Sequence, residues 1–277
     1  MIHSPVGLIG LGLMGAAIAE RLRAAQFDLC DFDIDPARTG AARDASAVFS
    51  AADRILFSLP NSGIVDEVLA SAPLHAGQII VDTTTGDPAR AEHTARQLAS
   101  RGVLYLDATV SGSSGQMRRG EAVIFVGGER GAFLQCADLF AALGGTVLHT
   151  GPCGSGARMK LVTNLVLGLN RAALAEGLAF ARAVGVDGGA ALAAMRASMA
   201  YSRIMDTKGE KMLAGDFTPQ ATLSQHLKDV RLILAATREQ SLPLSETHRT
   251  LLELAEALGC GPLDNSAILR AYEPRGE

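Results

Sequence analysis

The sequence predicts an α/β fold in which an N-terminal doubly wound, Rossmann-type sheet is joined by a long helix to a C-terminal all-α domain. Three observations predict it. Short apolar strands alternate with helical segments through the first half of the chain, and a glycine loop follows the first strand directly. Beyond about residue 155 the strand signals end and the chain becomes rich in Ala, Leu and Met at helical spacing. Strands separated by helices are typical of a parallel sheet with helices on both faces.

The first elements have the layout of a dinucleotide-binding βαβ unit. An apolar strand over 6–9 leads into a loop, a helix is expected over 16–25, and a second strand over 27–32 ends just before Asp33. The loop is Gly10-Leu11-Gly12-Leu13-Met14-Gly15. A simple glycine turn is the alternative, but the strand before the loop, the helix after it and the acid downstream all fit the cofactor motif.

Each loop glycine has a physical reason in such a motif. Gly10 permits a tight turn, Gly12 lets the backbone approach a pyrophosphate, and Gly15 lets the helix pack close to the strand. The helix N-terminus, with Leu13 and Met14 in its first turn, offers N–H groups and a positive dipole end to the phosphates. We therefore expect these five residues to bind the cofactor.

Asp33 indicates which dinucleotide is bound. It lies 18 residues after Gly15, about where an acid accepts hydrogen bonds from the adenosine ribose. A carboxylate there repels a 2′-phosphate, and the following Ile34 and Asp35 offer no arginine to receive one. The sequence thus predicts NAD, with NADP possible. The alternative for Asp33 is a solvated loop acid.

The alternation continues to the middle of the chain. Strands are predicted over 54–59, 78–82, 103–107, 122–126 and 146–148, and helices over 64–71, 88–100 and 132–143. Pro60 ends the third strand, and Pro88 suits a first helical turn. We predict a dinucleotide-binding domain over 1–155, an interdomain helix over 156–184, and an all-helical domain for substrate binding and oligomerisation over 185–277.

Ligands of an open α/β sheet bind beyond the carboxyl ends of its strands. Leu59 and Pro60 follow one such strand and Thr85 follows the next, so we expect all three near the cofactor. The loop after 103–107 is small and polar, and Ser111, Gly112 and Ser113 could wrap a carboxylate with hydroxyl and N–H groups. A flexible connector is the alternative for that loop.

Two of the lysines, Lys160 and Lys228, lie within sequence segments that bear on the chemistry of the site. The chain has 25 basic residues but only four lysines, and lysine differs from arginine in losing its proton readily when buried. Lys160 follows a glycine-rich segment and shares a helix face with Asn164, four residues on. One interpretation of the pair is that Lys160 donates a proton and Asn164 is its hydrogen-bonding neighbour. The alternative is that codon bias and chance alone account for a lysine at any one position. Taken alone, Lys228 reads as a surface helix residue.

Composition excludes several classes. The net charge of −4 gives no reason to expect nucleic acid, and no uninterrupted apolar run approaches 18 residues, so no membrane span is expected. The first residues lead directly into a predicted strand and lack the basic and apolar segments of a signal peptide, so a cytoplasmic protein is expected. The four cysteines and six histidines have no metal-ligand spacing, so we expect reduced thiols and no metal.

Together these motifs resemble the β-hydroxyacid dehydrogenase family over nearly the whole chain. The glycine loop resembles the family's cofactor loop, and the segment 107–112 its substrate loop, with Thr109 where Pro is usual. The segment from Gly151 through Lys160 and Asn164 resembles its catalytic segment, although Thr163 replaces the first of two usual asparagines. Lys228-Asp229 resembles its late Lys-Asp element.

The resemblance implies hydride transfer between NAD(P) and a short 3-hydroxy acid, such as a 3-hydroxyisobutyrate-like or tartronate-semialdehyde-like compound. Lys160 would be the general acid/base, Asn164 would orient the substrate, and Ser111, Gly112 and Ser113 would hold its carboxylate. Lys228 would lie near both cofactor and substrate. The apolar joining helix also leads us to expect a homodimer or homotetramer.

Two other functions remain open on the sequence. An imine reductase-like NADPH enzyme shares this architecture, but that group usually lacks lysine at position 160. A non-catalytic dinucleotide-binding sensor would keep the glycine loop, yet would need neither Lys160 nor Asn164. A 6-phosphogluconate dehydrogenase would need a longer helical domain than the chain provides.

Overall fold

A computed structural model of the chain describes residues 5–38, 40–237 and 240–273. The chain divides into two compact units, residues 1–160 and 161–277. One long helix, α8 (Ser155–Ala183), begins in the first unit and continues into the second. No helix of the described residues is both long enough and apolar enough to span a membrane.

The first unit is a seven-stranded sheet with helices on the connections. Its strands are β1 (Val6–Ile9), β2 (Leu29–Phe32), β3 (Arg54–Phe57), β4 (Ile79–Asp82), β5 (Leu104–Ser111), β6 (Val123–Gly127) and β7 (Thr146–Gly151). Its helices are α1 (Leu13–Ala24), α2 (Ala45–Ala51), α3 (Ser62–Ala70), α4 (Pro88–Ala99), α5 (Ser114–Arg118), α6 (Arg130–Gln135) and α7 (Ala137–Leu143).

The strand order is β2-β1-β3-β4-β5-β6-β7. Neighbouring strands run parallel except β5 and β6, which pair antiparallel with Thr109 opposite Phe125. The predicted doubly wound sheet is therefore confirmed, with one antiparallel pair. That reversal was not foreseen. Residues 112–122, which connect the two strands, were expected to be a Gly/Ser loop, and they contain only the short helix α5.

Side chains alternate between the two faces of the sheet, as the pleat requires. Leu8 and Leu56 pack in a core with the helices α1 and α7, whereas Ile9, Ile55 and Phe57 pack in a second core with α2 and α3. Both faces are thus buried, which explains why the strands read as continuous apolar runs.

Several element bounds differ from prediction. Helix α1 begins at Leu13 rather than at residue 16, so the glycine loop runs straight into the helix. Strand β5 extends to Ser111, four residues beyond its predicted end. The expected helix over 132–143 is two helices that meet at Cys136. Helix α2 was missed; Asp44 caps it by accepting a hydrogen bond from the Ala47 N–H.

The second unit is helical, as predicted. Beside α8 it contains α9 (Gly188–Ala197), α10 (Ile204–Ala214), α11 (Leu223–Ala236) and α12 (Pro243–Ala255), then a π-helical turn Glu256–Cys260 and a 3₁₀ helix Asn265–Tyr272. Its core includes Leu174, Leu227 and Leu252. Within it, the buried Lys208 ammonium contacts both carboxylate oxygens of Asp264, at 2.8 and 2.9 Å.

Candidate active site

Two of the loop glycines are required by the protein's own packing. Gly10 has φ +98°, and a Cβ there would lie 2.3 Å from the Ser58 carbonyl oxygen. A Cβ on Gly15 would lie 1.9 Å from the Gly10 carbonyl oxygen. No side chain fits at either position, so these glycines would be needed even in a loop that bound nothing.

Gly12 differs, because no contact with the residues that the structure describes requires a glycine there. Its φ is −64°, and within the described part of the chain a Cβ there would meet only Arg38 Nη1, at 3.8 Å. Gly12 precedes α1, whose N-terminus has no side-chain cap and no acidic residue in its first turn. A bare helix N-terminus beside an open backbone suits a phosphate group. The loop therefore fits the pyrophosphate of a dinucleotide. Leu13 is half exposed beside it, and Met14 is partly buried.

The Asp33 carboxylate lies against the glycine loop. It accepts hydrogen bonds from the N–H of Leu11 at 2.6 Å and from the N–H of Asp35 at 2.8 Å, and Arg38 Nη1 lies 3.4 Å away. Burial alone would raise its pKa, but the two N–H groups and the Arg38 charge hold the pKa of Asp33 below its usual value. The carboxylate is thus ionised and anchored. The contact between Arg38 and Asp33 was not foreseen from the sequence, because it depends on a turn after Asp33 that returns the chain towards this carboxylate.

The ends of β3 and β4 meet at the same edge of the sheet. Leu59 and Pro60 follow β3, and Thr85 follows β4, as expected for parallel neighbours. The Leu59 N–H donates to Thr84 Oγ1 at 3.1 Å, which ties the two ends together.

The Ser111–Ser113 segment is more ordered than a loop. Ser111 is the last residue of β5, Gly112 has φ +151°, and Ser113 caps α5. Ser113 Oγ accepts from the Gln116 N–H at 3.2 Å, while Gln116 Oε1 accepts from the Ser113 N–H at 2.9 Å. This reciprocal capping box fixes the turn. The expected Gly/Ser loop is therefore a strand end, a turn and a helix start.

The N-terminus of α8 is attached to β5 by Asp107. This buried carboxylate accepts from the Gly154 N–H at 2.8 Å and the Ala157 N–H at 2.7 Å. Thr109, where the resembling family usually has Pro, donates from Oγ1 to the Gly156 carbonyl at 2.9 Å. A Cβ on Gly156 would lie 2.5 Å from the Asp107 carbonyl oxygen, so glycine allows the helix to approach the strand this closely.

Lys160 lies in the second turn of this attached helix and is 7% exposed. Asp107 beneath the helix is held largely out of water, and burial raises the pKa of its carboxyl, although the Ala157 and Gly154 N–H groups oppose the rise. At the end of β4, burial raises the pKa of Asp82 to about 6, while Tyr105 donates its hydroxyl to Asp82 at 2.5 Å. Neither Asp107 nor Asp82 was assigned a role from the sequence, although an acid stands at the predicted end of each of these two neighbouring strands.

In the second unit, one carboxylate connects two of the predicted residues. Asn164 Nδ2 donates to Asp229 Oδ2 at 2.9 Å, and Lys228 Nζ lies 3.5 Å from Asp229 Oδ1. Asn164 is 5% exposed and Asp229 6%. The structure thus brings Asn164 and Lys228 together from α8 and α11 through Asp229, a residue absent from the predicted site. Lys160 and Asn164 lie one turn apart on α8.

Each half of the chain matches a known protein-family model. Residues 5–151 match the model of the NAD binding domain of 6-phosphogluconate dehydrogenase. Residues 154–272 match the NAD-binding domain model of NADP-dependent 3-hydroxyisobutyrate dehydrogenase.

Two relatives that are named as enzymes match over almost their full length. The chain is 33% identical to 2-hydroxy-3-oxopropionate reductase of Escherichia coli, covering 97% of each chain. It is 32% identical to 2-(hydroxymethyl)glutarate dehydrogenase of Eubacterium barkeri, covering 97% of this chain and 94% of that one. The solved structure of a 3-hydroxyisobutyrate dehydrogenase from Salmonella typhimurium superposes with TM-score 0.88 at 25% identity, covering 96% of this chain and 98% of that one. The chain therefore belongs to the β-hydroxyacid dehydrogenase family of NAD(P)-dependent enzymes.

Proposed function

We propose that this enzyme transfers a hydride between NAD(P) and a short-chain 3-hydroxy acid, with Lys160 as the general acid/base. The observation that carries the proposal is a lysine 7% exposed on the helix whose first turn Asp107 holds. A lysine held in one place beside the reacting oxygen could exchange a proton with it, which is the role of a general acid/base. When bound, NAD(P) supplies or accepts the hydride.

For the cofactor, we propose binding through the loop residues Gly10, Gly12, Leu13, Met14 and Gly15. The open backbone at Gly12 and the bare N-terminus of α1 support a pyrophosphate there. The strand-end residues Leu59, Pro60 and Thr85, together with Lys228, complete the proposed cofactor contacts.

Asp33 would accept the ribose hydroxyls, because its Oδ1 accepts from one N–H and has a further lone pair, whereas Oδ2 accepts from the Leu11 N–H and, at a long 3.4 Å, from Arg38. Its negative charge favours NAD over NADP. Replacing Asp33 with Asn should narrow any NAD advantage, since the repulsion of a 2′-phosphate disappears while an amide oxygen remains.

For the substrate, we propose that Ser111, Gly112 and Ser113 hold a carboxylate and that Asn164 and Lys228 orient the reacting end. The fixed turn at Gly112 supports this, because ordered hydroxyl and N–H donors bind an anion at a smaller entropic cost than a mobile loop. Asp229 would act as a positioning residue, holding the Asn164 amide in one orientation. Two relatives carry the names of carboxylic acids with a hydroxyl or oxo group, which supports this substrate class.

We also propose the division expected from the sequence, with nucleotide binding in 1–155, the helix over 156–184, and substrate binding and assembly in 185–277. A homodimer or homotetramer is supported by exposed apolar side chains on one face of α8: Val162 is 60% exposed, Val166 53% and Phe180 66%. Light scattering at micromolar concentration tests this assembly, and a monomer would contradict it. Fractionation of expressing cells tests the expected cytoplasmic location.

The central experiment is a turnover panel. Short 3-hydroxy acids and their oxo counterparts are assayed in both directions with NAD and NADP, by the absorbance of the reduced nicotinamide. We expect turnover of at least one 3-hydroxy acid and none of 2-hydroxy acids lacking a 3-hydroxyl. Turnover of cyclic imines with NADPH alone would instead indicate the imine reductase alternative. Tight NADH binding without turnover of any compound would indicate a non-catalytic sensor.

A further inference from the structure

The side chain of Thr109 contacts the backbone of α8 one helical turn before Lys160. Its Oγ1 donates to the Gly156 carbonyl at 2.9 Å, and Thr109 is only 1% exposed. Gly156 lies in the first turn of α8, four residues before Lys160. In an α-helix, the carbonyl of residue 156 also accepts from the backbone N–H of residue 160. Thr109 and the Lys160 backbone therefore share one acceptor oxygen.

This contact differs in kind from the two that Asp107 makes. Asp107 accepts from N–H groups at the start of α8, which have no partner within the helix itself. The Gly156 carbonyl has a helical partner and a second lone pair, and the second lone pair receives the Thr109 hydroxyl. Removing that hydroxyl therefore leaves no buried carbonyl without a partner. The contact is suited to fixing where the helix lies, since the helix can form without it.

The strand face that carries Thr109 leads from the start of α8 to the proposed substrate turn. Side chains two residues apart along a strand share a face, so Asp107, Thr109 and Ser111 form one row on β5. A Cβ on Gly156 would lie 2.5 Å from the Asp107 carbonyl oxygen, so the helix begins in direct contact with this strand. Thr109 thus stands between the residue that attaches the helix and the serine proposed to bind a carboxylate.

We propose that Thr109 is a positioning residue for proton transfer, because its hydroxyl holds the turn of α8 that carries Lys160 at a fixed distance from Ser111. The inference rests on the proposed role of Lys160. Proton transfer needs donor and acceptor within about 2.6–3.2 Å, so a small shift of this helical turn would separate them. Proline, which is usual at this position in the family, has no hydroxyl. The hydrogen bond is therefore a property of the threonine in this chain.

The test compares the wild type with Thr109→Val, which keeps the branched shape without the hydroxyl, and with Thr109→Ser, which keeps the hydroxyl. In Thr109→Val, kcat on the best 3-hydroxy acid found should fall roughly 5- to 100-fold, the loss for a misplaced catalytic group. KM and the Kd of NADH should change less than about twofold. Thr109→Ser should keep kcat within about threefold of the wild type, because its hydroxyl can still donate.

Two further measurements separate positioning from a loss of folded protein. The solvent deuterium isotope effect on kcat should rise in Thr109→Val, because proton transfer then limits turnover more. A smaller folded fraction would lower the rate and leave that isotope effect unchanged. Hydrogen exchange at the Lys160 amide, followed by NMR, needs no substrate and should accelerate severalfold in Thr109→Val alone, since the helical turn opens more often.

Thr94→Val is the matched control, because Thr94 is 6% exposed and its Oγ1 lies 3.4 Å from Asp66 Oδ1 on a neighbouring helix. It should leave kcat, the isotope effect and the Lys160 amide exchange unchanged. Unchanged kcat and exchange in Thr109→Val would overturn the proposal, and so would an equal loss of kcat in Thr109→Ser. Full turnover in Lys160→Ala would instead refute the proposed role of Lys160, a result that the exchange measurement does not share.

Discussion

The carboxylate of Asp107 accepts a hydrogen bond of 2.7 Å from the backbone N–H of Ala157, three residues before Lys160 on the same helix. Its second oxygen accepts from Gly154, so one side chain in the middle of β5 satisfies two N–H groups at the start of α8. Those groups have no partner within the helix itself. Asp107 thereby fixes the start of the helix that carries the proposed acid/base.

Replacing Asp107 with Asn should destabilise the first unit and lower turnover. The amide keeps one acceptor oxygen, but its NH₂ cannot accept from the second N–H, and an unsatisfied buried donor costs about 1–3 kcal/mol. Calorimetry should show a lower Tm, and kcat should fall more than the affinity for NADH. Asp187→Asn is the control: Asp187 caps α9 by accepting from the Ala190 N–H, and Asn caps equally well. An unchanged Tm in Asp107→Asn would contradict the attachment.

Lys160→Arg should fail nearly as badly as Lys160→Ala. A guanidinium stays protonated and is bulkier than an ammonium, so it cannot exchange a proton with the substrate oxygen. General acid/base catalysis contributes about 10²–10⁴-fold, and we expect a loss of that order in kcat with NADH binding mostly kept. Steady-state rates and cofactor titrations measure both. Lys211→Arg, which can keep its pairing with Asp216, is the control. Near-full turnover in Lys160→Arg would leave Lys160 only an electrostatic role.

Gly12→Ala and Gly15→Ala should separate ligand binding from folding. Of the residues that the structure describes, the new methyl at position 12 meets only Arg38 within 4 Å, so the protein should fold with a nearly unchanged Tm. It should weaken NADH binding roughly tenfold or more, since forced overpacking against a ligand costs about 1–3 kcal/mol. At position 15 the methyl would lie 1.9 Å from a backbone oxygen, so Tm should fall sharply. Unchanged NADH affinity in Gly12→Ala would place the pyrophosphate elsewhere.

Acid should destabilise the second unit through His248. Burial, with a smaller contribution from the Arg171 charge, lowers the pKa of His248 from 6.5 to about 4. Its ring packs 5.2 Å from that of His226, and Gly168 leaves room for both rings. Because the folded-state pKa is depressed, the unfolded state binds the proton first. Stability is then fully present above about pH 6.5 and is lost as pH falls towards 4, by roughly 3 kcal/mol for a shift of this size.

The measurement is Tm between pH 4 and pH 7 for the wild type and His248→Gln, with the exposed His75→Gln as control. The difference in Tm between the wild type and His248→Gln isolates His248, because Asp82 is present in both proteins and its contribution cancels. Asp82 titrates with the opposite sign. Its pKa is raised to about 6, so its contribution to stability is lost as pH rises through that value. Parallel profiles for the wild type and His248→Gln would refute the role of His248.

The sequence by itself determined the features that depend on neighbouring residues. The Gly10–Gly15 loop, the strands on either side of it and the long apolar helix are local patterns, since turn geometry, strand alternation and helical spacing all arise from nearby residues. The positions of Lys160 and Asn164 on one helix face follow from the same spacing.

The tertiary structure decided which distant groups meet. The Asp107 contact with Gly154 joins residues 47 apart, and the Asn164 contact with Asp229 joins residues 65 apart. Two further contacts depend on the direction in which a short turn sends the chain: the antiparallel pairing of β5 with β6, and the approach of Arg38 to Asp33. A turn sequence alone does not set that direction, because the packing around the turn contributes to it. Periodicity tells which face of an element is buried, but only the packed fold selects the partner that a buried polar group must find.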